Sequence, residues 1–420
     1  MLGRGLRTSR KHFIGRHAYQ WQFGENVEAV QVTDGIYWVG AIDWNIRNFH
    51  GYSTSRGSTY NAYLITGEKN ILIDTVKRPF FEEMLSRIRS VIDPQNIDII
   101  VSNHTEMDHS SSLPLMQELT GATVLASRMG VEGLRLHFPK LRTEMVKDGQ
   151  EIKLGGKTLK FIDTPMLHWP DSMFTYVEED KVLFSMDAFG QHYATTKRFD
   201  DEVDQDILYQ EAAKYYANII LLFNSQVERT ILKAKDIDIK IIATSHGVIW
   251  RKNLGKIFEL YSQWSSSQTK EKAVVVYDTM WNSTRIMAEE IAEGIASEGI
   301  EVRVMKLGET DRSEVMKEVL DSRAVVIGSP TLNNNLFPSV ADMIYYLRGL
   351  RPTNRIGAVF GSYGWAGGAV KMAQDLLKGS GLDLPLEPYQ VRFIPQEEER
   401  RKCREFGRTI GQKIKERSVV

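Results

Sequence analysis

The sequence predicts an α/β protein with two domains, a layered domain rich in β-sheet followed by a doubly wound parallel sheet. Three observations lead to this prediction. The chain of 420 residues is too long for one ordinary core. A polar, serine-rich stretch, SQWSSSQTKEK at 262–272, interrupts the apolar pattern as a linker would. Apolar runs follow one another closely before this stretch and alternate with helical segments after it. We therefore place the domains at residues 31–265 and 273–420.

The composition is that of a globular protein without a dominant charge. Hydrophobic residues make up 42% and charged residues 25% of the chain, and the net charge is −1. This balance gives no global field that would favour nucleic acid or a membrane surface. No apolar run approaches the roughly 20 residues of a membrane span. The single cysteine, Cys403, excludes an internal disulfide and a cysteine-ligated cluster. It also fits a reducing compartment, so we expect a cytoplasmic protein.

Residues 1–30 form a basic extension outside the two predicted domains. Its cationic residues occur before any acidic residue: Arg4, Arg7, Arg10, Lys11 and Arg16. An organellar presequence can look like this, but an amphipathic apolar stripe does not accompany the arginines. We favour an extension that lies on the protein's own surface.

Short apolar runs predict the strands of the first domain. They are IYWVGAI, NAYLIT, NILIDT, IDIIVS, ATVLAS, LKFIDTP, KVLFSMD and IKIIATS, separated by turn residues and by helical segments such as FFEEMLSRIRSVI. This pattern is typical of a layered α/β domain with much sheet.

Histidines and carboxylates follow several of these predicted strands. The stretch SNHTEMDHSSS comes directly after IDIIVS and contains four ligand-type residues: His104, Glu106, Asp108 and His109. If this segment is extended, the first three lie on one side and His109 points the other way. Taken alone, the segment is either a polar loop or part of a metal site. Three more candidates follow other strands: His168, Asp187 and His246. Because strand ends converge on one edge of a sheet, we predict seven ligands for two metals, with one carboxylate bridging.

The second domain alternates strands and helices more strictly. AVVVYDT leads into the helix STRIMAEEIAEGIASEG, and EVRVMKL, AVVIGSP, RIGAVFGS and the helix GGAVKMAQDLLKGSG follow. We expect a doubly wound parallel sheet of about five strands.

Three loops after these strands predict a flavin site. The first can cradle a terminal phosphate at a helix N-terminus, or it is an ordinary strand–helix turn; its residues are Thr279, Met280, Trp281, Asn282, Ser283 and Thr284. The second offers small polar groups to a ring edge, at Pro330, Thr331, Leu332, Asn333, Asn334 and Asn335. The third offers aromatic stacking and close backbone approach, at Ser362, Tyr363, Gly364, Trp365, Ala366 and Gly367. A hydroxyl-only phosphate cradle suits FMN and resembles the phosphate loop of flavodoxin.

The metal motif and the flavin loops together resemble one known family. H-x-E-x-D-H followed by His168, Asp187 and His246 is similar to the metallo-β-lactamase-like domain of the flavodiiron proteins. The resemblance runs from about Gln31 to the end of the chain. It implies a metallo-β-lactamase-like αββα sandwich joined to a flavodoxin-like doubly wound sheet.

The resemblance also implies a role for each ligand. One iron would be bound by His104, Glu106 and His168, and the other by Asp108, His109 and His246, with Asp187 as the bridge. His109 is the position at which some family members are reported to lack a metal ligand. Related hydrolases usually carry histidine where this chain has Glu106, and an added carboxylate favours higher-valent iron over zinc.

As a flavodiiron protein, the chain would reduce O2 to water, nitric oxide to nitrous oxide, or both, and so protect against oxidative or nitrosative stress. FMN would relay electrons to the two irons within a head-to-tail homodimer or a dimer of dimers. The electron donor would be a rubredoxin, or a reduced deazaflavin or nicotinamide carrier. The chain has no C-x-x-C pair, so we expect no fused rubredoxin module.

Two other functions remain open at this point. One is a zinc hydrolase of thioesters or phosphodiesters with an attached flavodoxin, against which Glu106 argues. The other is an electron-transfer flavoprotein whose first domain is an inert scaffold.

Several residues near the motifs receive weaker assignments. Asp74 is expected to fix a loop rather than bind metal. His192 could support a ligand but is more often a core or surface histidine. Tyr215 and Tyr216 could place a phenol near the metals but are more often packing residues. No role is assigned to the remaining histidines, His12, His17, His50 and His137.

Overall fold

The structure is a computed structural model in which residues 27–154 and 156–417 are described. Most of the predicted basic extension therefore lies outside the described residues. No helix within the described ranges is both long enough and apolar enough to cross a bilayer.

The first domain contains sixteen of the described strands and seven α-helices. The strands are β1 Val30–Thr33, β2 Ile36–Trp38, β3 Ala41–Asp43, β4 Asn48–Phe49, β5 Tyr52–Ser53, β6 Ser58–Tyr60, β7 Tyr63–Ile65, β8 Asn70–Ile73, β9 Ile97–Ser102, β10 Thr123–Ala126, β11 Thr143–Met145, β12 Glu151–Leu154, β13 Lys157–Asp163, β14 Met173–Val177, β15 Val182–Met186 and β16 Ile241–Thr244. The helices are α1 Phe81–Arg89, α2 Met107–Ser110, α3 Leu113–Thr120, α4 Arg128–His137, α5 Gln205–Tyr215, α6 Asn224–Ala234 and α7 Leu254–Ser265. A π-helical turn, Tyr216–Ile220, continues α5, and short 3-10 turns lie at Arg78–Phe80, Pro94–Asn96, Asp200–Glu202 and Leu221–Phe223.

Two sheets pack face to face to form this domain. The first has the strand order β1-β2-β7-β8-β9-β10-β11 and the second the order β12-β13-β14-β15-β16. Apolar side chains from both inner faces share one core, including Trp38 and Ile65 from the first sheet and Phe161 and Phe184 from the second. Helices α1, α3 and α4 cover the outer face of the first sheet, and α5, α6 and α7 cover the second. The predicted αββα sandwich is confirmed.

The second domain is a six-stranded sheet with helices on both faces. Its elements are β17 Lys270–Tyr277, α8 Ser283–Ala296, β18 Glu301–Lys306, α9 Arg312–Val319, β19 Ser322–Pro330, α10 Pro338–Leu350, β20 Arg355–Tyr363, α11 Ala369–Leu377, β21 Leu382–Asp383, β22 Tyr389–Arg392 and α12 Glu397–Glu416. The strand order is β18-β17-β19-β20-β21, with β22 also pairing β20, and the pairs are parallel. This is the flavodoxin-like order, so the predicted doubly wound sheet is confirmed.

The predicted linker at 262–272 is mostly regular structure. Helix α7 continues to Ser265 and β17 begins at Lys270, which leaves only residues 266–269 between them. The linker prediction missed the helical spacing of Ile257, Tyr261 and Trp264, all of which are buried. Trp264 packs against Tyr216, so the end of the helix is held in the core.

The two domains share a packed interface. One apolar cluster runs without a break from α5, α6 and α7 to α9, α10 and α11. Polar contacts cross the same interface: Asn218 donates to the carbonyl of Ser313 over 3.1 Å and accepts from the hydroxyl of Tyr346 over 2.8 Å. The fully buried ammonium of Lys214 pairs with Glu314 of α9. These contacts fix the orientation of the two domains within one chain.

Candidate metal centre and flavin pocket

The predicted metal ligands lie on loops at the ends of strands. His104 follows β9, His168 follows β13, Asp187 follows β15 and His246 follows β16. The extended segment expected from His104 to Asp108 is not observed. Residues 107–110 form the single helical turn α2, because the amides of His109 and Ser110 both donate to the carbonyl of Glu106. This turn separates Asp108 and His109 from His104 and Glu106.

The seven residues converge as two groups. One group is His104, Glu106, His168 and Asp187, and the other is Asp108, His109 and His246. In the first group, Glu106 Oε2 lies 3.3 Å from His104 Nε2 and 3.5 Å from His168 Nε2. In the second, Asp108 Oδ2 lies 3.2 Å from His246 Nε2. We call these groups the first and second half-sites.

Asp187 faces both half-sites with different oxygens. Its Oδ2 lies 3.1 Å from His168 Nε2 and 3.4 Å from His104 Nε2. Its Oδ1 lies 3.2 Å from His109 Nε2 and 3.4 Å from His246 Nε2. A carboxylate in this position can hold two metal ions side by side.

The donor atoms fit a pair of cations. Both oxygens of Asp108, both ring nitrogens of His109 and Oδ1 of Asp187 are buried without a hydrogen-bond partner within the described ranges. A buried carboxylate oxygen without a hydrogen bond is costly unless a cation compensates its charge. Three carboxylates and four imidazoles form a mixed hard donor set, which suits iron.

The pKa shifts within the cluster also indicate that its carboxylates require compensating positive charge. Burial by itself lowers the pKa of His109, but the nearby charges of Asp108 and Asp187 outweigh it and raise the pKa to about 9. Burial would raise the pKa of Asp187, but the surrounding imidazoles, His109 first, hold it well below its usual range. Without metals, protons on the imidazoles offset the carboxylates. Metal ions would take the place of these protons, because a ligating imidazole must be neutral.

Residues behind the ligands fix two of the histidine rings. Asp171 accepts from Nδ1 of His104 over 3.0 Å and from the amide of Thr105 over 2.6 Å. The carbonyl of Thr59 accepts from Nδ1 of His246 over 2.6 Å. Neither contact was predicted from the sequence. The only available signal for Asp171 was its position three residues after His168.

The residues with weaker assignments divide into two kinds. Asp74 accepts from the backbone and side-chain nitrogens of Asn103, so it fixes a loop. Tyr216 packs in the core against Tyr261 and Trp264. His192, His50 and Tyr215 instead lie beside the metal ligands.

The contacts of these three residues place them around the second half-site and Glu106. The ring of His192 is fully buried, 4.9 Å from that of His246, and its Nδ1 lies 2.7 Å from Ser58 Oγ. The ring of Tyr215 lies 5.0 Å from that of His192. His50 is exposed, with Nε2 3.4 Å from Glu106 Oε1.

The three predicted flavin loops surround one cavity of about 830 Å³. Four of the predicted residues do not line it: Asn282, Thr284, Asn335 and Gly367. Thr284 is buried and hydrogen-bonded to Ser362 Oγ over 2.8 Å, whereas Gly367 lines a neighbouring cavity. Phe393 and Ile394 line the cavity but were not predicted, because they follow β22, far from the three loops in sequence.

The cavity has the chemistry that FMN requires. The hydroxyl of Thr279 is buried without a hydrogen-bond partner in the described part of the chain, and it lies next to the N-terminus of α8. A phosphate would accept from this hydroxyl and from the helix amides. The indoles of Trp281 and Trp365 are 84% and 88% exposed at the rim, where they can stack on a planar ring.

Comparison with known proteins agrees with both halves of the chain. A family model described as ODP family beta lactamase matches residues 59–247, and the Flavodoxin model matches residues 275–407. The nitric oxide reductase of Moorella thermoacetica is 48% identical over 395 residues, which cover 92% of this chain and 99% of that protein.

Solved structures agree over the same length. The rubredoxin oxygen:oxidoreductase of Desulfovibrio gigas matches with a TM-score of 0.91 and 38% identity, over 93% of this chain and 99% of its own. The flavodiiron protein of Giardia intestinalis matches with a TM-score of 0.91 and 38% identity, over 94% of this chain and 98% of its own.

The fold and the two sites define a protein that joins a metallo-β-lactamase-like metal domain to a flavodoxin-like domain. The relatives match this chain over nearly their whole length, and this identifies the family. The chain belongs to the flavodiiron proteins. Membership implies FMN in the second domain and a non-haem di-iron centre in the first.

Asp187→Asn tests the bridging position. The amide keeps the shape of the side chain but loses its charge and one good ligand atom, so we expect loss of at least one iron per chain. Flavin content and flavin reduction should be unchanged, because the FMN cavity does not contain Asp187. Iron, flavin and gas consumption would be measured in this variant and in Asp148→Asn, which removes an exposed carboxylate paired with Lys233. Full iron content with normal gas consumption would show that Asp187 is not a metal ligand.

Trp365→Ala tests stacking on the flavin. Loss of the exposed indole should weaken FMN binding or shift the flavin potential, by an amount typical of one aromatic contact, about 1 kcal/mol. Trp365→Phe keeps an aromatic ring, so its FMN affinity and flavin potential should remain close to those of the unsubstituted protein. Iron content should not change in either variant, and equal loss of iron and flavin would indicate a structural role for Trp365.

Proposed function

We propose that this chain is a flavodiiron oxidoreductase that reduces O2 to water, nitric oxide to nitrous oxide, or both, and so protects against oxidative or nitrosative stress. The observation that carries the proposal is the position of Asp187 between two half-sites, in a chain that also forms an FMN cavity. The proposal adopts the seven predicted metal ligands, the three flavin loops, the domain limits 31–265 and 273–420 and a cytoplasmic location.

The cofactors and the protein residues have separate tasks in this reaction. The two half-sites would hold two irons, which would supply a site for binding and reducing the gas, and the three flavin loops would hold an FMN, which would supply electrons. Asp187 holds the two half-sites at a fixed separation and offsets part of the repulsion between their cations. A cavity of about 400 Å³, lined by Phe49, His50 and Met107 among others, leads to Glu106 and Asp108. It can admit a diatomic gas.

Two buried residues beside the ligands keep defined protonation states. Burial raises the pKa of the Tyr215 phenol well above its ordinary value, and the charge of Asp187 raises it further, so Tyr215 keeps its proton. Burial lowers the pKa of His192 well below its ordinary value, and the neighbouring His246 lowers it further, so His192 is neutral. Neither residue adds a charge that would compete with the metal ligands.

A head-to-tail homodimer, alone or within a dimer of dimers, is part of the proposal. The cavity at the metal centre and the FMN cavity of one chain share no lining residue. Large apolar side chains are exposed around the FMN cavity, at Trp281, Trp365, Phe393 and Ile394, and within two residues of metal-site residues in the chain, at Met107 and Met166. If the first surface of each subunit packs against the second surface of its partner, both become covered.

The rival zinc hydrolase is less consistent with this donor set. A dinuclear hydrolase site needs no flavin cavity, and Glu106 and Asp187 together supply hard anionic oxygen to the first half-site. Zinc without iron in the purified protein would favour the hydrolase.

Anaerobic turnover tests the proposed activity. Protein purified with its cofactors should contain about two irons and one FMN per chain, as the ligand set implies. It should consume O2 or nitric oxide when supplied with reduced rubredoxin, or with a reduced deazaflavin or nicotinamide carrier. Consumption should stop after the irons are removed and return when iron is restored. Gas consumption that persists without metal would instead support the electron-transfer flavoprotein.

Mixed dimers test the head-to-tail arrangement. One subunit carries Asp187→Asn and retains its flavin, and the other carries Ser283→Glu, whose charge repels the phosphate of FMN. If the flavin of one subunit serves the irons of its partner, random mixing should restore about a quarter of the unsubstituted activity. If each flavin serves its own chain, every dimer stays inactive. Each variant alone is the control.

A further inference from the structure

The imidazole of His104 is held between two carboxylate groups. Its Nε2 faces the first half-site, 3.3 Å from Glu106 Oε2. Its Nδ1 donates to Asp171 Oδ2 over 3.0 Å, and the same oxygen accepts the amide of Thr105 over 2.6 Å. Asp171 is only 5% exposed, and hydrogen bonds from His104 and from the amide of Thr105 both end on its Oδ2. The outer nitrogen of the His104 ring is therefore hydrogen-bonded to a buried carboxylate.

The histidines of the second half-site lack this support. Nδ1 of His246 is bonded to a neutral acceptor, the carbonyl of Thr59. Nδ1 of His109 is buried and has no hydrogen-bond partner in the ranges described. The two half-sites thus differ in the groups that lie behind their ligands.

The carboxylates are also distributed unequally. Asp187 is shared, Glu106 belongs to the first half-site and Asp108 to the second, so the direct ligands balance. Behind the ligands, Asp171 is hydrogen-bonded to the outer nitrogen of His104, whereas the buried carboxylate of Asp74 lies near His109 without a hydrogen bond to its ring. The first half-site is therefore the one in which a carboxylate accepts the outer N–H of a ligand imidazole.

We propose that Asp171 is a positioning residue that makes the two irons inequivalent. It orients His104 and strengthens it as a donor, so the iron of the first half-site is bound more tightly and has a lower reduction potential than the iron of the second. This inference rests on the proposed function, because it requires two irons.

The physical basis is the effect of the outer hydrogen bond on a metal-bound imidazole. When the outer N–H donates to a carboxylate, the ring is fixed in one tautomer and its inner nitrogen becomes more basic. A ferric ion gains more from a stronger donor than a ferrous ion does, because it carries more charge. A tenfold change in the preference for ferric over ferrous iron corresponds to 59 mV for one electron.

Asp171→Asn separates the effect of the charge of Asp171 from its effect on the orientation of His104. The amide oxygen of asparagine can accept both hydrogen bonds, so His104 should remain oriented while the negative charge is lost. We expect the affinity of the first half-site for iron to fall by about 10- to 100-fold. The lower of the two iron reduction potentials should rise. Asp171→Ala, which also removes the acceptor, should weaken the first half-site further.

Stepwise chelation gives the direct measurement. In the unsubstituted protein, a chelator should remove the iron of the second half-site first and leave one iron per chain. The Mössbauer spectrum of that retained iron should change in Asp171→Asn, and the two irons should then leave together or in the opposite order. A redox titration of the same samples should show the two iron potentials closer together.

Asp74→Asn is the matched control for a merely structural role. It removes another buried carboxylate, which is bonded to Asn103 on the same loop and not to a ligand imidazole. Because the charge of Asp74 acts on His109 more than on His104, we expect Asp74→Asn to leave the first half-site the tighter one and the order of iron loss unchanged. If Asp171→Asn behaves as Asp74→Asn does, or if it leaves the order of iron loss unchanged, the inference is wrong.

These readouts separate this inference from the proposed function. They require iron-loaded protein but no turnover of O2 or nitric oxide. Protein that binds no iron would contradict the proposed function itself. Protein that binds two irons with equal affinities and potentials would contradict only the role of Asp171.

Discussion

The carboxylate of Asp187 is the constraint on which the metal centre depends. Its two oxygens face histidine pairs that come from different loops, at distances of 3.1 to 3.4 Å. Because the side chain is buried, its charge needs cations on both sides. The position of Asp187 is fixed by β15, a strand whose residues are all buried. The separation of the two half-sites is therefore set by the core of the sandwich rather than by a flexible loop.

The remaining ligands are positioned by contacts behind the site. Asp171 holds His104 and also caps the amide of the next residue, so the ring and the start of its loop are fixed together. Thr59 holds His246 through its backbone, and Asp74 fixes Asn103 directly before His104. A site arranged in this way before metal binding loses little freedom when the ions enter. The same contacts give the ligand imidazoles of the two half-sites different hydrogen-bond partners.

The interface between the domains explains how two separately folded sites can work as one enzyme. Lys214 and Asn218, on α5 and the turn after it, bind α9 of the flavodoxin-like domain, and a continuous apolar cluster surrounds these contacts. The short connection at 266–269 reinforces this arrangement. Each chain then presents a metal cavity and a flavin cavity at separate positions, with no lining residue in common.

The sequence by itself determined the fold class, many of the central strands and the types of residue that face each cofactor, but not the buried strand β14 or short strands such as β4 and β5. Apolar runs specify strands, and ligand-type residues after their ends could be grouped without a structure. The expected single sheet edge was wrong, because His104 follows β9 of the first sheet whereas His168, Asp187 and His246 follow strands of the second. Only the tertiary structure decided which oxygen of Asp187 faces which half-site, because that depends on the packing of two sheets. It also revealed Asp171, Phe393 and the helical turn at Asp108. Contacts between residues far apart in the chain leave no periodic signal, and a single turn is too short to have one.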